Sequence, residues 1–392
     1  MKQNNTADIV IIGGGIIGCS TAYNLANQGA KNVVVLEKGE LCSGGTAKSC
    51  AITRSHYSIE ANVHHAVESV KIFENFDDMV GGDPRFTCTG QLVLGQEKHR
   101  PVMERVFCTQ NKYGSETQTL TPAEAAKLHP LLQFEDVDVI GFESRSGYCD
   151  PYLTTIAYAK RAKDLGVKFY TGTPVTGIRI NGVNKTIETR RSDFECSTLI
   201  LAAGPWTHNL GKMLGIKFPY EISKHKVLTL KIDIPYEKDW PIVKDLLTPE
   251  KIYFRPDAGG VVLVGTGDQG DPVNNVEEMT NDVEMEHIER IGKLMANRMP
   301  AFAEAKLVRS WTGPYDIPPD WNPIIGPVPK LEGVRVAVGF SGHGFKLAPT
   351  IGESLAQQIL GTNPRVPIDM YDMTRFETGK TLNGAYGIGT FA

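Results

Sequence analysis

Gly13, Gly15 and Gly18 form G-x-G-x-x-G directly after the β-branched run Asp8–Ile12 and ahead of a helical stretch from Ile16. No other feature constrains the fold as tightly. The first glycine permits a tight turn, the second lets backbone approach a pyrophosphate, and the third lets the helix pack close on the strand. Free N–H groups and the helix dipole then favour the phosphates. Ala22, Leu25 and Ala26 keep helical spacing, Gly29 is the stop, and Asn32–Glu37 reads as a second buried strand. Glu37 closes that strand 19 residues beyond Gly18, where an acid can accept hydrogen bonds from a ribose. In this setting the motif predicts dinucleotide binding on a βαβ unit, with FAD and NAD(P) both open.

Length and charge narrow the class. At 392 residues the chain is more than twice a common domain of about 100–150 residues, so two domains are expected. A net charge of -4 gives no electrostatic case for nucleic acid or an anionic membrane. The early apolar stretch Ile9–Cys19 is far short of the ~18–20 residues of a bilayer span, and Met1–Ala7 lacks the form of a targeting signal. A cytoplasmic protein without membrane insertion is expected. Seven dispersed cysteines without a CxxC pair suit free thiols rather than a disulfide framework or metal site.

Farther along, the pattern predicts a helix over Ile59–Val80, strands at Gly90–Gly95, Val139–Ser144, His225–Ile232, Ile252–Arg255 and Val261–Gly265, and a helix at Tyr152–Gly166. Lys168–Tyr170 and Ser197–Ala203 read as strands, and Asp282–Arg298 as an amphipathic helix. Pro314–Pro329 reads as a loop, Arg335–Val338 as a strand, and Ala348–Leu360 as a helix with Pro349 in its first turn. Alternating α/β and sheet-rich stretches imply two domains, each entered more than once.

The segments Ser43-Gly44-Gly45-Thr46-Ala47-Lys48-Ser49, Ile52-Thr53-Arg54-Ser55-His56-Tyr57, Ala202-Ala203-Gly204-Pro205-Trp206, Trp311-Thr312-Gly313-Pro314-Tyr315 and Gly339-Phe340-Ser341-Gly342-His343-Gly344-Phe345-Lys346 occur in this order. With them the sequence resembles the D-amino-acid-oxidase-like (DAO) flavoproteins, and within them the sarcosine oxidases, their heteromeric β subunits and related dehydrogenases. The resemblance implies an α/β (α+β) fold of glutathione-reductase-like type. A Rossmann-like FAD-binding domain at 1–84, 146–216 and 325–392 would join a sheet-rich substrate domain at 85–145 and 217–324. It also implies FAD, held through Gly13, Gly15, Ile16, Ile17, Gly18, Glu37, Lys38, Ser43, Gly44, Gly45, Thr46, Lys48, Ser49, Val175, Ala203, Gly204 and Trp206, and through Gly342, His343, Gly344, Phe345 and Lys346.

In such enzymes an arginine and a lysine hold the substrate carboxylate, and Arg54 and Lys346 match them. A guanidinium fork adds bidentate bonds and an ammonium a point charge. Tyr253 and Tyr315 are candidates for the cavity wall, or for core, and His343 for an electrostatic role. The implied reaction oxidises the C–N bond of a small secondary or tertiary amino acid, sarcosine-, N-methyl amino acid- or proline-like, by hydride transfer to flavin N5. A D-amino acid or glycine oxidase-like enzyme, or an electron-shuttling subunit of a dehydrogenase complex, is the alternative. Three departures matter. Gly313 stands where a cysteine tethers FAD in the monomeric oxidases, so noncovalent FAD is expected. The strand at Val261–Gly265 lacks the lysine that assists reaction with oxygen, which favours a dehydrogenase with another acceptor or partner subunit. Cys149 replaces the histidine that binds a second flavin in the β subunits.

Overall fold

The computed structural model describes residues 3–386. Residues 1–2 and 387–392, the outer ends of the first expected domain, lie outside the described residues. Five short strands make a parallel sheet in the order Lys168–Tyr170, Val33–Leu36, Ile9–Ile12, Thr198–Leu201 and Val334–Val338, with Ile324–Pro327 added antiparallel at one edge. Val10, Ile11, Val35, Leu199, Ile200 and Leu201 are wholly buried, which is why these strands read as unbroken apolar runs. One face is covered by the helices Ile16–Asn27, Pro151–Asp164 and Gly344–Ile359. The first and last of these meet closely: Ser20 Oγ donates to the Ala348 carbonyl at 2.8 Å, and a Cβ on Gly352 would stand 2.2 Å from Ser20 Oγ.

On the other side of the sheet lies a four-stranded sheet, Gln3–Thr6, Ser192–Cys196, Asn184–Thr189 and Val175–Asn181. A larger sheet of nine strands is built from 91–143 and 221–317, and the helix Met285–Arg298 covers its back with Ile291 and Met295. No described helix is long and apolar enough to cross a membrane. All seven cysteines are free thiols.

Three sequence expectations need correction. The helix expected over Ile59–Val80 is two, Glu60–Glu74 and Phe76–Met79, because Asn75 leaves helical geometry at φ -119° and ψ 32°. Pro314–Pro329 is not simply a loop. The strand Lys306–Ile317 runs through Pro314, and Ile324–Pro327 is a strand as well. Lys306–Ile317 pairs with Glu221–Lys231 at the sheet's edge, where a proline without an N–H is tolerated. The last long helix starts at Gly344 rather than Ala348, so Pro349 lies inside it. There the proline removes a bond to the Phe345 carbonyl, and packing against Ile16–Asn27 outweighs that loss.

Candidate functional site

The glycine turn is shaped by what a side chain would strike. Gly13 has φ +120°, and a Cβ on it would lie 2.3 Å from the Ala202 carbonyl oxygen at the end of the neighbouring strand. At Gly18 a Cβ would lie 2.0 Å from the Gly13 carbonyl oxygen, so the third glycine lets the helix settle on the turn. Glu37 binds the loop itself: Oε2 accepts from Gly14 N at 2.7 Å and Oε1 from Gly39 N at 2.8 Å. Each carboxylate oxygen keeps another lone pair for a ligand. Thr46 Oγ1, from the short turn Gly45–Lys48, accepts from Ile16 N at 3.2 Å, bringing the second loop over the helix start.

From this turn a cavity of about 510 Å³ extends to the face of the larger sheet. All of the expected cofactor and substrate residues line it except Gly18, which packs beneath the turn. Trp206 Nε1, Ser341 Oγ, His225 Nδ1 and Gln91 Nε2 are buried without a hydrogen-bond partner among the described residues, and all four side chains belong to the cavity wall. Such groups are costly unless a ligand meets them. A long ligand with polar edges, of the kind FAD presents, fits this wall. Lys38 sits 4.4 Å over the Trp206 ring and 2.6 Å from Glu277, and Lys48 donates to Asn281 at 2.9 Å.

At the far end cations converge. Arg54 follows the short strand Ile52–Thr53; its Nη1 donates to the His56 carbonyl and its guanidinium lies 4.4 Å over the Tyr57 ring. The loop is anchored from behind by Glu143, which accepts from Ser55 N at 3.0 Å and Ser146 Oγ at 2.7 Å and lies 3.2 Å from His56 Nδ1. Burial pushes Glu143 up, but these partners bring it down to about 2, so it stays a carboxylate. Lys346 is 8% exposed and has no hydrogen-bond partner among the described residues. Burial, then the Arg54 charge, holds its ammonium well below the ordinary lysine range. Burial followed by Lys346, Arg54 and Lys244 keeps His343 neutral. Its ring stands edge-on to Tyr57 at 5.3 Å.

Tyr253 and Tyr315 both face the cavity. Tyr253 Oη lies 3.4 Å from Cys50 Sγ, and Tyr315 stacks on His225 at 3.8 Å between centroids. Burial pushes both phenols up, so they are neutral hydrogen-bonding groups. Sequence reasoning missed Gln91, Cys50, His225 and Lys244. The strand Val261–Gly265 is indeed without charge, but its neighbour's neighbour Ile242–Asp245 brings Lys244 into the cavity: Lys244 pairs with Tyr253 and Tyr253 with Gly265. Its signals were a lysine inside a short apolar run, and Gly265 and Gly267, which leave room for Tyr253 and Lys244.

A nucleotide-type turn on a parallel sheet, opening into a cavity walled by a second sheet and ending in buried cations, defines an oxidoreductase of the two-sheet flavoprotein class. The chain belongs to the DAO family of FAD-dependent oxidoreductases, whose profile matches residues 8–358. It is 28% identical over 384 residues to the mitochondrial pyruvate dehydrogenase phosphatase regulatory subunit of Mus musculus, covering 94% of this chain and 43% of that protein. To mitochondrial sarcosine dehydrogenase of Homo sapiens it is 27% identical over 395 residues, covering 96% of this chain and 42% of the relative. The chain thus spans less than half the length of these two relatives. Among solved structures, L-proline dehydrogenase from P. horikoshii superimposes with a TM-score of 0.88 at 30% identity, covering 96% of this chain and 99% of the other.

Proposed function

We propose that the protein binds FAD noncovalently and oxidises the C–N bond of a small secondary or tertiary amino acid, sarcosine-, N-methyl amino acid- or proline-like. The observation that carries this reading is the pair Arg54 and Lys346: a guanidinium braced on His56 and Tyr57, and a buried ammonium without a protein partner among the described residues, in one cavity. A substrate carboxylate satisfies both. Gly13, Gly15 and Glu37 would hold the nucleotide end of FAD, with Trp206 against Lys38 on that side, and the 43–49 loop and 342–346 would reach along it to its ring end. When bound, FAD supplies a hydride acceptor. Tyr253, Tyr315 and neutral His343 wall the substrate and limit water, and no side chain is assigned as a base because a substrate amine that enters neutral needs none.

Gly313 offers no thiol for a covalent tether, and burial pushes the Cys50 thiol up, away from the reactive thiolate. Membership of the three larger sheets supports the division into a cofactor domain at 1–84, 146–216 and 325–392 and a substrate domain at 85–145 and 217–324, while the small sheet of Ile52–Thr53, Gly147–Tyr148 and Thr87–Cys88 crosses the boundary at 85. A partner subunit or separate electron acceptor would complete the cycle. Similarity to a regulatory subunit favours a second reading, a flavin-binding subunit without substrate chemistry of its own.

The test is anaerobic mixing of FAD-loaded protein with sarcosine, dimethylglycine, L- and D-proline, glycine and D-alanine, read by flavin absorbance. Bleaching by an N-substituted amino acid, weakened in Arg54→Ala and Lys346→Ala, is expected. A flavin left oxidised by every member of the panel favours the non-catalytic subunit.

A further inference from the structure

Arg54 stands on a stretch, 54–57, without regular secondary structure. Its place must therefore be set by the side chains behind it. Glu143 grips the next residue through Ser55 N at 3.0 Å, and the His56 carbonyl accepts from Arg54 Nη1. What holds His56 comes from far along the chain. Its Nε2 lies 2.8 Å from Tyr386 Oη, with the two rings 5.6 Å apart, and Ser58 Oγ accepts from Ala385 N at 2.9 Å.

The segment that carries Tyr386 leaves the short helix Arg375–Thr378 through Gly379, whose φ of +69° turns the chain. Leu382 N donates at 3.0 Å to Asp320 Oδ2, a carboxylate that Arg375 also holds at 2.8 Å. Tyr386 then packs on Val93, Met103, Phe107, Val139 and Leu246, in or against the larger sheet. The tyrosine is not part of the cavity wall. It reaches the arginine from behind, through His56.

The direction of these bonds follows from the partners. Burial lowers the proton affinity of His56 and pushes the Tyr386 phenol up, so the imidazole is neutral and the phenol keeps its hydrogen. His56 Nδ1 faces the Glu143 carboxylate at 3.2 Å, a contact whose geometry falls short of a hydrogen bond but whose charge draws the ring hydrogen to that nitrogen. Nε2 is then the acceptor and Tyr386 the donor.

We propose that Tyr386 is a positioning residue for the substrate clamp: its hydroxyl orients His56, and through the His56 carbonyl it holds the Arg54 guanidinium where a substrate carboxylate meets it. This rests on the amino-acid reading above and adds to it a residue that never touches substrate.

The test is titration of FAD-loaded protein with methylthioacetate, a monocarboxylate without an oxidisable amine, followed by flavin absorbance. Tyr386→Phe keeps the ring and its packing and loses one hydrogen bond, so binding is expected to be about fivefold weaker with FAD content unchanged. The same substitution should cost about fivefold in a Lys346→Met background and nothing in an Arg54→Ala background, because the bond acts through the arginine. An affinity unchanged by Tyr386→Phe, or an equal loss with and without Arg54, overturns the role. So does a loss of bound FAD, which makes Tyr386 a prop of the fold. If methylthioacetate does not bind the unaltered protein, the amino-acid reading fails and this role with it; if it binds and Arg54→Ala weakens it while Tyr386→Phe does not, only the positioning role fails.

Discussion

Glu37 Oε2 accepts the amide hydrogen of Gly14 at 2.7 Å, so the acid at the end of the second strand also fixes the glycine turn at the end of the first. The other oxygen holds Gly39 N at 2.8 Å. The side chain therefore shapes the loop before any ligand arrives. Glu37→Gln keeps one acceptor oxygen and loses the other. FAD affinity, measured by flavin fluorescence during titration of the apoprotein, should drop by about 10-fold, as loss of one charge-assisted bond implies. Glu37→Ala should drop further, and an unchanged affinity in both would deny the acid its part in the site.

Gly342 has φ +79°, and a Cβ on it would lie 2.3 Å from the Tyr315 ring. Gly342→Ala meets two costs, a left-handed backbone and a clash, together about 2–4 kcal/mol. Thermal unfolding should show the loss. Tyr315→Ala in the same chain removes only the clash, so it should restore part of the difference and not all. Full recovery would mean that the backbone at 342 carries no strain.

The sequence made the parallel sheet legible because burial on both faces leaves a continuous apolar run, as at Ile9–Ile12, Val33–Leu36 and Thr198–Leu201. The four-stranded sheet was not legible. Val175–Asn181 and Ser192–Cys196 mix exposed and buried positions and carry charges, so their pairing is decided by neighbours and not by composition. The start of the helix at Gly344 was hidden for a related reason: glycine, histidine and an internal proline all argue locally against helix, and only Ser20 and its neighbours across the interface favour it. The proposed carboxylate clamp, Arg54 and Lys346, could be matched to motifs. Lys244 could not, because it reaches the cavity through strand register, which no local pattern records.

Asp316 supplies a pH test of the wall. It is 5% exposed, and burial pushes its carboxyl up from 3.8 to about 6, against the pull of the Gly339 N–H at 2.7 Å. A folded-state value above the unfolded one means that its contribution to stability is full below about pH 4 and is lost as pH rises through about 6. An asparagine side chain at this position keeps an acceptor oxygen and never ionises. Asp316→Asn should thus be more stable than the unaltered protein at pH 7.5, by about 1–3 kcal/mol, with the gap closing near pH 4. Denaturant unfolding at the two pH values checks it, and a gap that is constant with pH counts against a buried ionised carboxylate.

Lys346 should set function against stability. Its ammonium is buried with no hydrogen-bond partner among the described residues, and burial and Arg54 lower its proton affinity well below that of an exposed lysine. The unfolded chain therefore binds this proton more readily than the folded one, and stability rises with pH up to the ordinary lysine range near 10.5. Lys346→Met has similar length and no charge to desolvate. At pH 7 the ligand-free variant should unfold at higher denaturant than the unaltered protein, by about 1–3 kcal/mol, and the gap should narrow as pH approaches 10. With a carboxylate ligand at a concentration that saturates the unaltered protein the order should reverse, because the anion stabilises the chain that retains the ammonium more than the variant, which keeps Arg54 alone. A variant that loses stability both with and without ligand would mean that Lys346 is held by the fold for its own packing, and the clamp would then rest on Arg54 without it.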